Sequence, residues 1–217
     1  MASTVLTVAT PQGPGRCFVD PADDPTALLV LGHGAGGGIN AADLELLARR
    51  LPVLGITVVR FEQPWRTAGR RIAGPPATLD EAWQAAVAEM VTQPWAVDRL
   101  FVGGRSAGAR VACRTALAVG AAGVVCLAFP LHLPGRPEKS RAAELLNAGV
   151  PRLVLQGSKD TFGTPAEIRY AMGATPDIRL VELPGADHGF RVAKGASFTA
   201  ADLRTRVLAE VGLFVGG

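Results

Sequence analysis

Short apolar runs rich in Val, Leu and Ile recur along the chain, at Ala27–Leu31, Gly55–Phe61, Arg99–Gly103, Gly123–Phe129, Arg152–Gln156 and Ile178–Leu183. They show little alternation, as parallel strands covered on both faces do. Segments of helical spacing lie between them. Ala41–Leu51 sets Leu44, Leu47 and Leu51 on one face. Thr78–Val91 opens with the Thr78-to-Glu81 spacing of a capping box. Ala107–Val119 is alanine-rich, and Pro165–Met172 and Thr199–Phe214 follow. This alternation predicts an α/β fold, a doubly wound, mostly parallel sheet with helices on both faces. The segment Val5–Val19, with Pro11-Gln12-Gly13-Pro14-Gly15 in its middle, reads as an antiparallel hairpin at the sheet edge. No repeat and no long linker divides the chain, so residues 1–217 are expected to form a single domain. In such a sheet, ligands bind in the loops beyond the carboxyl ends of the strands.

Composition narrows the field. With 48% hydrophobic and 19% charged residues, the chain is no disordered segment. Its mean hydropathy of +0.25 raises the question of a membrane span. The longest stretch without a polar side chain, Ala116–Leu131, is interrupted by Gly120, Gly123 and Pro130. It is also shorter than the ~18 residues a span needs, so no membrane association is expected. The first residues lack a basic region followed by an apolar one, so no signal peptide is expected. A scattered net charge of +3 gives no footprint for nucleic acid. Cys17, Cys113 and Cys126 are widely spaced, with no CxxC and no Cys/His cluster. We therefore expect no metal site, no cofactor and a reducing, cytoplasmic setting. Oligomeric state leaves no trace in the sequence.

One strand end carries its own chemistry. Arg99–Gly103 runs into Gly104-Arg105-Ser106-Ala107-Gly108 and then a helix, the strand–turn–helix setting that G-x-S-x-G requires. A serine on so sharp a turn has a strained backbone, and neighbouring chain must pass close to it. Gly104 and Gly108 remove the side chains that would collide. The hydroxyl then projects above the sheet at a helix N-terminus. There the helix dipole and the free Ala107 N–H favour a developing negative charge. The plainer alternative is a glycine-flanked serine that merely caps a helix.

In this setting the chain resembles a compact α/β-hydrolase, of the group described as dienelactone-hydrolase-like. The resemblance runs from about Ala27 to Phe214. Dienelactone hydrolases carry a cysteine nucleophile where this chain has Ser106, so the resemblance extends to the fold rather than to a lactone substrate. It implies a serine hydrolase that cleaves esters or thioesters through an acyl-enzyme. It also implies the chain order serine, acid, histidine, each after a strand.

Three histidines are available as base: His33, His132 and His188. His188 follows the last strand, among small and turn-forming residues, and fits the implied order. Asp160, in Gln156-Gly157-Ser158-Lys159-Asp160, follows the penultimate strand and is the expected acid, although this is also turn composition. Asp187 is the rival acid. In the expected roles Ser106 attacks, His188 moves the proton and Asp160 fixes the imidazole. The oxyanion hole would combine Ala107 N–H with a donor from Gly32-His33-Gly34-Ala35-Gly36-Gly37-Gly38, similar to the His-Gly-x-Gly segment of esterases. The resemblance favours Ala35, with Gly34 and Gly36 as alternatives, and leaves His33 to shape the loop.

Two other features compete. Gly32-x-Gly34-x-x-Gly37 also matches a dinucleotide fingerprint, with Glu62 ending the next strand where a ribose-binding acid would stand. A non-catalytic binding module on the same fold is the other alternative. Two loops are expected to line a pocket for a small ester or thioester. In Gln63–Thr78, Trp65 would wall the acyl group and Arg66 meet an anionic substrate, against the reading of a solvated loop with a buried Trp. In Pro130-Leu131-His132-Leu133-Pro134, Leu131 and His132 would face the pocket, with His132 a spare base. No long insertion separates the strands, which leaves little room for a cap domain, so the site should be open and shallow.

Overall fold

The structure, a computed structural model, describes residues 3–217. Eight strands form one sheet: β1 (Thr4–Val8), β2 (Gly15–Asp20), β3 (Ala27–Gly32), β4 (Ile56–Glu62), β5 (Leu100–Arg105), β6 (Gly123–Leu127), β7 (Arg152–Gly157) and β8 (Ile178–Leu183). Their order is β1-β2-β4-β3-β5-β6-β7-β8. The β1–β2 hairpin pairs antiparallel, with Thr4 opposite Val19, and β2 is antiparallel to β4. All other pairings are parallel. The helices are α1 (Ala42–Arg50), α2 (Pro64–Thr67), α3 (Pro76–Met90), α4 (Ala107–Thr115), α5 (Ala142–Leu146), α6 (Pro165–Met172) and α7 (Ala200–Gly216).

The unbroken apolar strands are explained by burial on both faces. In β3, Leu28 and Val30 face one core with Trp83 and Met90 of α3, Val111 of α4, Leu145 of α5 and Ile168 of α6. Leu29 and Leu31 face the other, with Leu44 and Leu47 of α1 and Leu203, Val207 and Val211 of α7. Each such fully buried aliphatic side chain contributes about 1.5–3 kcal/mol relative to exposure. Among the described residues no lid covers the sheet: between β6 and β7 the only regular element there is the short α5.

Several boundaries differ from expectation. The capping box at Thr78 does not form. Proline at the first helical turn starts α3 earlier, at Pro76. Thr78 Oγ1 donates to the Pro75 carbonyl, and Glu81 accepts from Gln12. True capping boxes stand instead at Thr164–Glu167 and Thr199–Asp202. α4 stops at Thr115 rather than Val119 and closes in turns on Gly120, whose φ is +69°. β6 ends at Leu127 because Ala128 adopts φ +51°, which turns the chain out of the sheet. Among the described residues, no helix is long and apolar enough to cross a membrane.

Candidate active site

β5 runs through Gly103 and Gly104 to Arg105, and α4 begins at Ala107, so Ser106 alone forms the turn. Its backbone takes φ +52° and ψ −110°, a conformation that costs about 1–3 kcal/mol in a residue with a side chain. The surroundings enforce it. The Ser106 N–H donates to the Leu127 carbonyl at 2.9 Å. A Cβ on Gly104 or on Gly108 would lie 2.4 Å from the Gly32 carbonyl oxygen, so only glycine lets β3 approach the turn. The Ser106 side chain stands at the carboxyl end of the sheet, beside the point where β3 separates β4 from β5 and strand order reverses.

Three distant side chains meet there. Ser106 Oγ lies 2.9 Å from His188 Nε2, and His188 Nδ1 lies 2.8 Å from Asp160 Oδ2. Asp160 accepts at Nδ1–H, which leaves Nε2 as the acceptor for the serine hydroxyl. Asp160 is buried at 1% exposure and is itself held. Oδ1 accepts from the Phe162 N–H at 2.8 Å, and Oδ2 from Gln156 Nε2 at 2.8 Å. The Phe162 ring stacks on the imidazole, 4.2 Å between centroids. The His188 loop reaches this point because Gly157 has no side chain: a Cβ there would lie 2.3 Å from the Ala186 carbonyl oxygen. Asp187 takes a different part. Its Oδ1 accepts from the Gly189 and Arg191 N–H groups, which makes it the organiser of the turn after His188 rather than a partner of the ring.

The glycine loop after β3 lies against the turn. A Cβ on Gly34 would be 3.5 Å from Ser106 Cβ. Ala35 and Ala107 line one small cavity of about 20 Å³ with Gln63, Trp65 and Leu79, room for one water molecule. Ala107 is the first residue of α4, so its N–H has no intrahelical partner. His33 is buried; Nδ1 bonds the Gly34 carbonyl at 2.9 Å, and Nε2 accepts the Gln63 N–H at 3.2 Å. That arrangement requires the neutral ring, and burial lowers its pKa from the ordinary value of 6.5.

A family model described as an alpha/beta hydrolase domain matches residues 25–216. The chain belongs to this alpha/beta hydrolase family. Its fold is shared by an α/β serine hydrolase without a lid from Xanthomonas campestris, at 24% identity over 100% of this chain and 97% of that one, with a TM-score of 0.77. An alpha-beta serine hydrolase homologue from Coxiella burnetii is similar at 20% identity, over 97% of this chain and 98% of its own, with a TM-score of 0.77. An esterase domain from a Rhodothermus marinus protein follows at 15% identity, 100% and 98% coverage and a TM-score of 0.73.

Other expected site residues of this α/β hydrolase fall elsewhere. His132 has both ring nitrogens engaged, Nδ1 with the Leu133 carbonyl at 2.9 Å and Nε2 with Glu167 Oε1 at 3.1 Å. Neither nitrogen is left for a base or a substrate, because the ring ties its loop to α6. Leu131 is in the core, under Gly163, where a Cβ would lie 2.7 Å from Leu131 Cβ; it offers substrate no surface. Trp65 is buried and walls the small cavity, while Arg66 is exposed beside Gly38 with its guanidinium 6.0 Å from the Trp65 ring centroid.

The dinucleotide reading of the loop loses its supports. Glu62 Oε2 already accepts from Arg16 Nε at 2.9 Å and from Thr67 Oγ1 at 3.2 Å. Gly37 lies in an exposed turn, and α1 starts only at Ala42, so the helix that follows the loop does not open on its last glycine as the fingerprint requires. Sequence reasoning missed two residues that hold the acid and the ring, Gln156 and Phe162. Gln156 did leave a signal, as a polar side chain inside an apolar strand.

Proposed function

We propose that this protein is a serine hydrolase of small carboxylic esters or thioesters, with Ser106, His188 and Asp160 as its triad. The carrying observation is the unbroken hydrogen-bond chain from Ser106 Oγ through the imidazole to a buried carboxylate. As substrate enters, Ser106 Oγ attacks the acyl carbon and its proton passes to His188 Nε2. Asp160 stabilises the imidazolium and holds the ring in place. The carbonyl electron pair moves onto oxygen, where the N–H groups of Ala107 and Ala35 receive the negative charge. Collapse of the tetrahedral intermediate expels an alkoxide or thiolate, which takes the proton from His188. Water then attacks the acyl-enzyme by the same route, releasing the acid and restoring the hydroxyl.

The cavity bounded by Ala35, Ala107 and Trp65 is small, and no lid adds apolar surface. These features favour short acyl groups over long lipid chains. Arg66, exposed beside Gly38 of the glycine loop, is read as the contact for a negative charge on the substrate. A fluorophosphonate probe tests the central reading. Wild-type protein should be labelled at Ser106, and Ser106→Ala should not; a folded wild type that stays unlabelled would falsify the reading and favour a binding module.

A further inference from the structure

Arg105 ends β5 immediately before Ser106, and its guanidinium joins separate segments of the site. Nη1 donates to Asp43 Oδ2 at 2.6 Å. Nη2 donates to the main-chain carbonyl of His188. The Phe190 ring lies 5.4 Å from the guanidinium carbon. Asp43 is the second residue of α1, the helix that follows the glycine loop, and its Oδ1 accepts from the Leu44 N–H. One side chain therefore bridges the nucleophile turn, the helix behind the oxyanion loop and the loop that carries the base.

Both charges are withdrawn from water, at 13% and 6% side-chain exposure for Arg105 and Asp43. An ion pair that served stability alone would be complete with Asp43. The second donor instead reaches the carbonyl of the residue whose ring must meet Ser106. Upstream, the loop is tied by the Gly185 N–H to Ser158 Oγ and by the Lys159 N–H to the Ala186 carbonyl. Downstream, Phe190 adopts φ +55°, so the chain leaves His188 through a strained turn. The peptide after His188 is held from both ends, its N–H by Asp187 Oδ1 at 2.7 Å and its carbonyl by Arg105; of the two, only Arg105 reaches it from outside the loop.

We infer that Arg105 is a positioning residue: anchored by Asp43, it holds the His188 backbone so that Nε2 stays in line with Ser106 Oγ. The inference rests on the triad reading above. Misplacing a catalytic group by about 1 Å costs up to roughly a hundredfold in rate. The two donors act from one rigid planar group, which a lysine cannot reproduce.

Steady-state turnover of p-nitrophenyl acetate and fluorophosphonate labelling rate test this in the full chain, each corrected for folded fraction. Arg105→Met should lower kcat about ten- to a hundredfold while KM stays within about twofold. Arg105→Lys and Asp43→Asn should fall between it and wild type, and labelling should slow in parallel. If Arg105→Met does not fold, Arg105→Lys and Asp43→Asn decide the matter. Variants that lose thermal stability but keep wild-type kcat per folded molecule, or whose loss lies in KM, overturn the inference and leave the triad standing. A folded wild type that neither labels nor turns over ester overturns both.

Discussion

Gly32 and Gly108 are packed so closely that a Cβ on Gly108 would lie 2.4 Å from the Gly32 carbonyl oxygen and 3.0 Å from its Cα. Strand β3 and the first turn of α4 meet here backbone to backbone, with no flexible side chain to give way. Gly108→Ala should therefore destabilise the protein by about 1–3 kcal/mol, the usual cost of forcing atoms into a packed interior, and move Ser106 with it. Gly36→Ala is the control, since a Cβ there meets nothing within 4 Å; its stability should stay within about 0.5 kcal/mol of wild type. Thermal or urea melts of the two variants compare them directly, and equal losses would show that the contact carries no strain.

Two neighbouring carboxylates should respond differently to the same change. Asp160 accepts from His188 Nδ1, whereas Asp187 accepts only backbone N–H groups of its own turn. Asp160→Asn removes the acceptor that selects the tautomer and should lower kcat by about 10³–10⁴. Asp187→Asn keeps an oxygen for the turn and should retain kcat within about threefold. A p-nitrophenyl ester assay reads both, and a larger loss from Asp187→Asn would reassign the acid.

His132 and His188 separate in the same assay. His188→Ala should cost orders of magnitude in turnover. His132→Ala removes bonds to Leu133 and Glu167, away from the serine. It should lower stability by about 1–3 kcal/mol, the cost of unmaking buried hydrogen bonds, and leave kcat of the folded enzyme nearly unchanged. A collapse of turnover with normal stability would return His132 to the site.

How far the sequence revealed this arrangement depends on the range of each interaction. The strands of the central sheet were legible because burial on both faces leaves an unbroken apolar run, as in β3. Ser106 was legible because the turn demands glycine on both sides, and that demand is local. His132 was ambiguous for the opposite reason. A histidine after a strand reads alike whether it faces substrate or α6, and the partner that decides, Glu167, is 35 positions away. The false capping box at Thr78 has the same origin: Pro75 and Gln12 claim the side chains that the local spacing assigned to each other. Arg105 was hidden because its partners, Asp43 and His188, lie 62 and 83 positions distant.

The glycine loop should also respond to acid through His33. Burial is the largest cause of its lowered pKa, reinforced by Arg66 and opposed by the Gly34 carbonyl and Glu62. Because the folded value lies below the ordinary 6.5, the unfolded chain takes up a proton first as pH falls. The stability tied to neutral His33 is thus fully present above 6.5 and lost as pH drops through the folded value. Protonation of the folded ring follows only as the pH reaches its lowered value; it ends the bond that Nε2 accepts from the Gln63 N–H, so the loop that carries Ala35 should loosen at that lower pH. Urea midpoints of wild type should fall below pH 6.5 more steeply than those of His33→Gln, which cannot titrate. Since His132 and His188 remain in both proteins, the difference in slope belongs to His33, and parallel curves would show that this ring is free to charge in place.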